Sequence, residues 1–278
     1  MFVISAIYYV IQHSPSSSET RMTLISVHGL SLKLQNSFLL QDINFQLHAG
    51  EIVGLIGPNG AGKSSLLKIL AKLQSHYSGR YCLNGLDIKN YSPKTLAKLL
   101  GYLAQGTTIH WPLSARKIVE MGRLPHMGYL SSLQKNDALA IQKAIERSEI
   151  TDFVDRPVTT LSGGEKMRVL LARLFAGEPT VILADEPTAA LDPYHQLHVM
   201  ELLREHAHQG GTVLVVLHDL NHAAQFCDRL LVLDQGKLVA DATMPDLLQS
   251  KILQDVYRID LSVFHENKRA FIAPRQRY

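Results

Sequence analysis

Cysteine is nearly missing from this sequence: Cys82 and Cys227 are the only two in 278 residues, far apart and in no metal or redox spacing. That excludes a disulfide scaffold and fits a reducing compartment. Charge of one sign is lacking too. Lys and Arg number 28 against 25 Asp and Glu, and a formal net charge of +3 is too small to argue for a nucleic-acid partner, even with 13 His. Charged residues as a whole make up 19%, below the usual quarter, which fits a surface partly covered by a partner. No apolar run reaches the roughly 18 residues of a membrane-spanning helix. The nearest is Met1–Ile11, which has neither the basic start nor the small-residue cleavage site of a signal peptide. With the polar stretch His13–Thr20 after it, residues 1–21 are expected to be an unstructured extension, a membrane-touching tail being the alternative reading.

What is present is a core-forming chain. Hydrophobic residues make up 46%, too many for a disordered protein, and the length suits one large α/β domain or a core carrying an inserted subdomain. Gln41–Leu47 alternates with period 2, and Ile52–Ile56 is a short apolar run closed by Gly57, so both read as strands. Ser64–Leu73 turns to helical spacing. Gly79–Leu83 runs into a tight turn at Asn84-Gly85, Ser92-Pro93 opens a short helix, and Tyr102–Ala104 is a further brief strand. From Gly106 to Thr160 strand signals vanish, and helices are expected at Ser114–Met121 and Lys135–Ser148. Alternation then resumes: helix Gly163–Ala176, strand Val181–Ala184, helix Tyr194–His208, strand Thr212–Leu217, helix Asn221–Phe226, strand Leu230–Leu233. Such alternation indicates βαβ crossovers and a mostly parallel sheet. There is no internal repeat, so one catalytic core per chain is expected.

Three segments carry chemistry. Gly57–Ser64 reads GPNGAGKS and matches G-x-x-x-x-G-K-[ST] between an expected strand and an expected helix. Its glycines let backbone N–H groups turn inward, and the helix start adds a positive end, together an anion nest. Lys63 suits the β/γ-phosphates and the Ser64 hydroxyl a Mg²⁺ shell. Val181–Glu186 is an apolar strand ending in two carboxylates. Such an Asp often only caps a turn, but Asp185 can also serve Mg²⁺, with Glu186 placed to take a proton from an attacking water. Leu161–Glu165 reads LSGGE, a capping box in form. Capping alone does not favour Gly163 and Gly164 in the first turn, where each costs about 1 kcal/mol of helix propensity. Paired glycines there would let an anion reach the helix end. His195 with His198, and His206 with His208, read as a solvated helix face rather than a metal site. His218 and His222 straddle a strand-to-helix junction, so their ligand-like spacing is illusory.

GPNGAGKS, Gln105, LSGGE, VILADEP, the Ala190-Leu191-Asp192 turn and His218 occur in the order and rough spacing of ATP-binding cassette (ABC) ATPases, and the chain resembles that family from about Leu24 to its C-terminus. The resemblance implies an α/β fold: a P-loop NTPase (RecA-like) core with a mostly parallel sheet, an antiparallel β subdomain, and an α-helical subdomain inserted at about 106–165 of a domain spanning 22–278. It implies ATP and Mg²⁺ as ligands and a Mg-dependent ATPase activity. Gly57, Pro58, Asn59, Gly60, Ala61, Gly62, Lys63, Ser64 and Ser65 would bind ATP. Ser64, Gln105 and Asp185 would serve Mg²⁺, and Glu186, His218 and Gln105 would be catalytic. Leu161, Ser162, Gly163, Gly164 and Glu165 match the family signature, of which Ser162 and Gly164 would close over the ATP held by Lys63 of a partner subunit; the residues alone do not distinguish closure in cis from closure in trans. Asp192 matches the turn that communicates across the dimer. One departure stands out: where the family usually stacks adenine on an aromatic residue, Leu34 occupies the position and Phe38 is the only aromatic nearby.

A single cassette with no membrane domain implies a second cassette, expected to be identical, and separate permease subunits, at the cytoplasmic face of the inner membrane. Gly122–His126 (GRLPH) and Gly236–Tyr257 are similar to cassettes serving iron–siderophore, haem and cobalamin uptake, with a periplasmic binding protein as an indirect partner. An exporter cassette and a non-transport ABC ATPase are the alternatives. The latter would normally carry a coiled-coil insertion or a second cassette, and a small-molecule kinase or GTPase would lack LSGGE and His218.

Overall fold

The computed structural model describes residues 22–34, 37–106, 109–128, 132–266 and 269–277; the expectation for residues 1–21 lies outside them. The central sheet has strand order β10-β9-β3-β8-β7-β6. Its strands are β3 (Ile52–Ile56), β6 (Leu100–Leu103), β7 (Val181–Asp185), β8 (Thr212–Val216), β9 (Arg229–Asp234) and β10 (Lys237–Ala242). All neighbours pair in parallel except β10, which returns antiparallel to β9.

The apolar runs that read as buried strands are buried on both faces, as parallel strands covered by helices must be. Along β8, Val213 and Val215 join one core while Leu214 and Val216 join the other. β9 divides in the same way, Leu230 and Val232 from Leu231 and Leu233. The first core lies under α5 (Gly163–Ala176) and α6 (Pro193–His208). The second encloses α1 (Lys63–Leu70) together with an antiparallel sheet of order β2-β1-β4-β5. In that sheet β1 (Thr23–Leu34) pairs with β2 (Ser37–His48) and β4 (Ser78–Leu83), and β4 turns into β5 (Leu86–Asp87). Both turn residues, Asn84 and Gly85, have positive φ, 47° and 75°, the pair of left-handed conformations a two-residue hairpin of the primed type requires.

Between β6 and β7 the named elements are all helical: α3 (Ala115–Glu120), a 3-10 segment Met121–His126, α4 (Lys135–Arg147), 3-10 turns at Thr151–Phe153 and Val158–Thr160, and then α5, with one isolated bridge from Ser114 to Pro157 among the described residues. α2 (Pro93–Leu99) starts as its sequence indicates, with the Ser92 hydroxyl accepting from Thr95 N–H and Pro93 in the first turn. β1, β10 and the elements after it escape the sequence reading. β1 is obscured by bulges that break its alternation. The C-terminal part forms α8 (Met244–Gln249), α9 (Ile252–Tyr257) and a hairpin of β11 (Ile259–Glu266) with β12 (Arg269–Arg277). β12 is held to α7 (Leu220–Phe226) by Asn221, whose amide donates to the Ile272 carbonyl and accepts from its N–H.

The histidines of α6 require a correction. Only His208 lies on a solvated face; His195 and His198 are 20% and 12% exposed at the side chain, and His206 is buried. α6 packs Val199, Met200, Leu203 and Ala207 into the first core, and two of its rings meet α5, His206 stacked on Phe175 and His195 against Gly164. Burial pushes His206 down to about 4. No group of three or more metal-ligating side chains occurs among the described residues.

Candidate functional site

β3 ends at the centre of the sheet, flanked by β8 and β9, and the loop from Gly57 carries the chain into α1. Gly57 has φ of +144°, and a Cβ there would lie 2.0 Å from the Leu233 carbonyl oxygen, so only glycine lets the loop leave β3 this close to β9. α1 starts at Gly62 without a side-chain cap. Its first N–H groups therefore remain for an anion, beside the positive end of the helix. Lys63 is buried and donates from Nζ to the carbonyls of Gly57 (2.8 Å) and Pro58 (3.0 Å). Desolvation lowers its pKa, opposed by Glu186 and Asp185.

β7 delivers the two carboxylates. Asp185 is its buried last residue, and the Ser64 hydroxyl donates to Asp185 Oδ1 at 3.1 Å. Burial raises the Asp185 pKa, the Ser64 bond lowers it, and Glu186 raises it further. Glu186 then adopts φ of +51°, a left-handed conformation costing on the order of 1–2 kcal/mol for a residue with a side chain. That turn aims its carboxylate across the cleft. Gln105 Nε2 donates to Glu186 Oε2 (2.5 Å), and His218, between β8 and α7, meets Oε1 through Nε2 (2.5 Å). Both oxygens of Glu186 are therefore held by residues that follow neighbouring strands.

These groups line one cleft of about 560 Å³: Gly60, Gly62, Lys63, Ser64, Gln105, Glu186 and His218, with Asn59 and Ser65, and with Leu39 as its hydrophobic side chain. The volume lies within the range of small-molecule sites. Leu34 and Phe38 do not line it; both are exposed, and the Phe38 ring lies 5.6 Å from Lys33 Nζ. The oxygens of Ser64 and Asp185 are the hard, sparse donor set that Mg²⁺ accepts alongside phosphate and water.

Leu161–Glu165 lies elsewhere; none of these residues lines the cleft. Ser162 caps α5, accepting from Glu165 N–H at 3.2 Å while Glu165 Oε2 accepts from Ser162 N–H at 2.7 Å. These bonds, led by the one from Ser162 N–H, hold the Glu165 carboxyl below its ordinary pKa. A Cβ at Gly163 would meet nothing within 4 Å, so that face of the helix end is open. A Cβ at Gly164 would collide with the ring of His195, so this glycine answers to packing inside the chain. Asp192 caps α6 and does not line the cleft.

One contact of the cleft is not legible in the motifs. The Gly57 N–H donates to the hydroxyl of Tyr257 at the end of α9, 2.9 Å away and 200 residues on. Burial raises the Tyr257 pKa to about 12, so the phenol stays neutral. The only signal was that Tyr257 closes the C-terminal segment Gly236–Tyr257; nothing in that segment points at the phosphate loop. GRLPH likewise acquires a physical role. Arg123 is buried and donates to Asp137 (2.9 Å), Glu178 (2.6 Å) and the Ala176 carbonyl (2.8 Å), and His126 Nε2 reaches the Gly177 carbonyl at 2.9 Å.

A family model described as ABC transporter matches residues 40–189. The chain is 36% identical over 254 residues to the petrobactin import ATP-binding protein of Bacillus anthracis, covering 91% of this chain and 93% of that one. It is 40% identical over 245 residues to a hemin import ATP-binding protein of Pseudomonas putida, covering 86% and 94%. Among solved structures, a chain of an ABC transporter assigned to the metal-chelate type, in an inward-facing conformation, superposes with a TM-score of 0.79 at 27% identity, covering 92% and 98%.

Proposed function

Because this chain belongs to the ABC transporter family as one of its ATP-binding subunits, we propose that it hydrolyses Mg·ATP to drive import of a chelated metal, an iron–siderophore, haem or cobalamin, through separate membrane subunits. The observation that carries the mechanism is the division of the motifs. The phosphate loop, Asp185, Glu186, Gln105 and His218 gather at one cleft, and Ser162–Glu165 stays outside it with Gly163 uncovered. A site divided in this way is completed by the same segment of a second copy, so two chains facing each other would hold two nucleotides.

Within the cleft, Lys63 exchanges the carbonyls of Gly57 and Pro58 for β- and γ-phosphate oxygens, and Gly60, Gly62 and the start of α1 supply N–H groups to the same charge. Mg²⁺ at Ser64 and Asp185, with Gln105 beside them, would neutralise charge developing on the phosphates. Glu186 is the base for the attacking water. Gln105 and His218 each engage one of its oxygens and so orient the carboxylate, while each oxygen keeps a second lone pair to accept the proton of the water. His218 would turn from Glu186 to hydrogen-bond the γ-phosphate. Asp192 would communicate across the two-copy interface. Separating charge onto ADP and phosphate reopens the pair. Exposed Trp111, Met121 and Leu124, in the segment after Gln105, offer apolar surface to a permease subunit. Those contacts would hold the chain peripherally at the cytoplasmic face of the membrane. No helix among the described residues is long and apolar enough to cross it. The direction and cargo class rest on the importer relatives.

The test is Glu186→Gln in the full chain. ATP binding is expected to persist, turnover to fall by about 10²–10⁴-fold, and the variant to accumulate as an ATP-dependent dimer on size-exclusion chromatography. Turnover near the wild-type rate would refute the assignment of the base. For cargo, the co-purifying permease should restore uptake of labelled haem or ferric siderophore in a strain lacking its own importer, and failure with all such chelates would refute the import reading.

A further inference from the structure

Gly163 and Gly164 are adjacent and meet different surroundings. The first is open; the second has a ring directly on it. The Cγ, Cδ2 and Nε2 atoms of His195 lie 2.4–2.6 Å from where a Gly164 Cβ would stand. The ring cannot swing aside freely, because Asp192 grips His195 twice: Oδ1 accepts from its backbone N–H at 3.0 Å and Oδ2 from Nδ1 at 2.8 Å. Those bonds, the backbone one first, hold the Asp192 carboxyl below its ordinary pKa and so ionised. Tyr194 meets the imidazole edge-on, centroids 5.3 Å apart.

We propose that His195 is a positioning residue that makes the Asp192 turn and the glycine end of α5 one rigid body. The proposal rests on the reading that both face the nucleotide of a second copy. Two surfaces that must close together on a shared ligand gain affinity when their relative placement is set beforehand. Here the tether runs from the Asp192 carboxylate through the imidazole to the bare Cα of Gly164. A shift of the turn that accompanies closure carries the ring with it, and the ring bears on α5 at the residue after the open Gly163. Gly164 is therefore glycine to admit the ring, whereas Gly163 leaves room for the anion.

A double-mutant cycle in the Glu186→Gln background tests this. The readout is the ATP concentration at half-maximal dimerisation; the control is Mg·ATP binding by dilute monomer, reported by a fluorescent ATP analogue. Gly164→Ala alone forces the ring off Asp192 and is expected to raise the ATP requirement for dimerisation by about tenfold or more, with monomer binding unchanged. His195→Ala alone raises it by a smaller factor. The pair Gly164→Ala/His195→Ala is expected to fall within about threefold of His195→Ala alone, because the methyl group now occupies the space of the ring. His195→Asn, which can still donate to Asp192 from a smaller side chain, is expected to recover much of the loss and also serves if His195→Ala folds poorly. Equal cost of Gly164→Ala with and without His195 would overturn the proposal and assign that glycine to anion access alone. Failure of the Glu186→Gln parent to dimerise with ATP would instead sink the functional reading beneath it.

Discussion

At the scale of single residues the cleft is governed by hydrogen bonds that motifs do not record. Gly57 lies where no side chain fits, and both its backbone polar groups are bonded, the N–H to Tyr257 and the carbonyl to Lys63. Under the proposed function, arriving phosphate would take Lys63 away and leave the Tyr257 bond in place. Tyr257→Phe keeps the ring and deletes the acceptor, leaving a buried N–H unpaired at a cost of about 1–3 kcal/mol. Thermal denaturation of the nucleotide-free protein should show that loss, and ATP affinity measured by calorimetry should fall with it. Unchanged affinity alongside lowered stability would confine Tyr257 to holding the C-terminal segment.

Among the elements, α5 connects the two ends of the argument. Its start carries Ser162 and the glycines; its last turn is clamped by Arg123 and His126 from the 3-10 segment Met121–His126. Gly122 permits the approach, since a Cβ there would stand 2.1 Å from the Arg173 carbonyl. Arg123 is only 6% exposed at the side chain and Asp137 10%, so Arg123→Ala would leave a buried carboxylate without its partner. A loss of about 3–5 kcal/mol in urea unfolding is expected, with Asp137→Asn costing less because the bond from Gln134 N–H can persist. An equal loss for both substitutions would mean that the cap on the Ala176 carbonyl contributes nothing.

For the whole molecule, acid stability is where the buried histidine becomes visible. His206 stacks on Phe175 with centroids 6.1 Å apart, its Nε2 has no hydrogen-bond partner, and its pKa is lowered to about 4, first by burial and then by Arg147. The folded state thus binds this proton more weakly than the unfolded chain, whose histidine titrates near 6.5. Stability is complete above about pH 6.5 and is lost progressively as pH falls toward 4, by up to about 3 kcal/mol. His206→Gln removes the titration. Its midpoint in urea should therefore vary less between pH 7 and 5 than that of the wild type, and an unchanged slope would assign the acid sensitivity to other groups.

Much of this arrangement was legible in the residues. The phosphate loop is local in sequence, so its glycines, Lys63 and Ser64 announce themselves. The apolar runs of β3, β7, β8 and β9 could only be strands covered on both faces, and Asp185 and His218 lie at or just beyond strand ends because a parallel sheet brings its strand ends together. What the chain could not disclose is contact across long separations. Tyr257 reaches Gly57 over 200 residues, β1 is disguised by bulges, and the histidines of α6 resemble a polar face until packing covers all but His208. The two glycines of LSGGE are the sharpest case. Local energetics demanded one explanation for both, and packing supplied two, because a ring held by Asp192 comes from another helix and occupies the space above only the second of them.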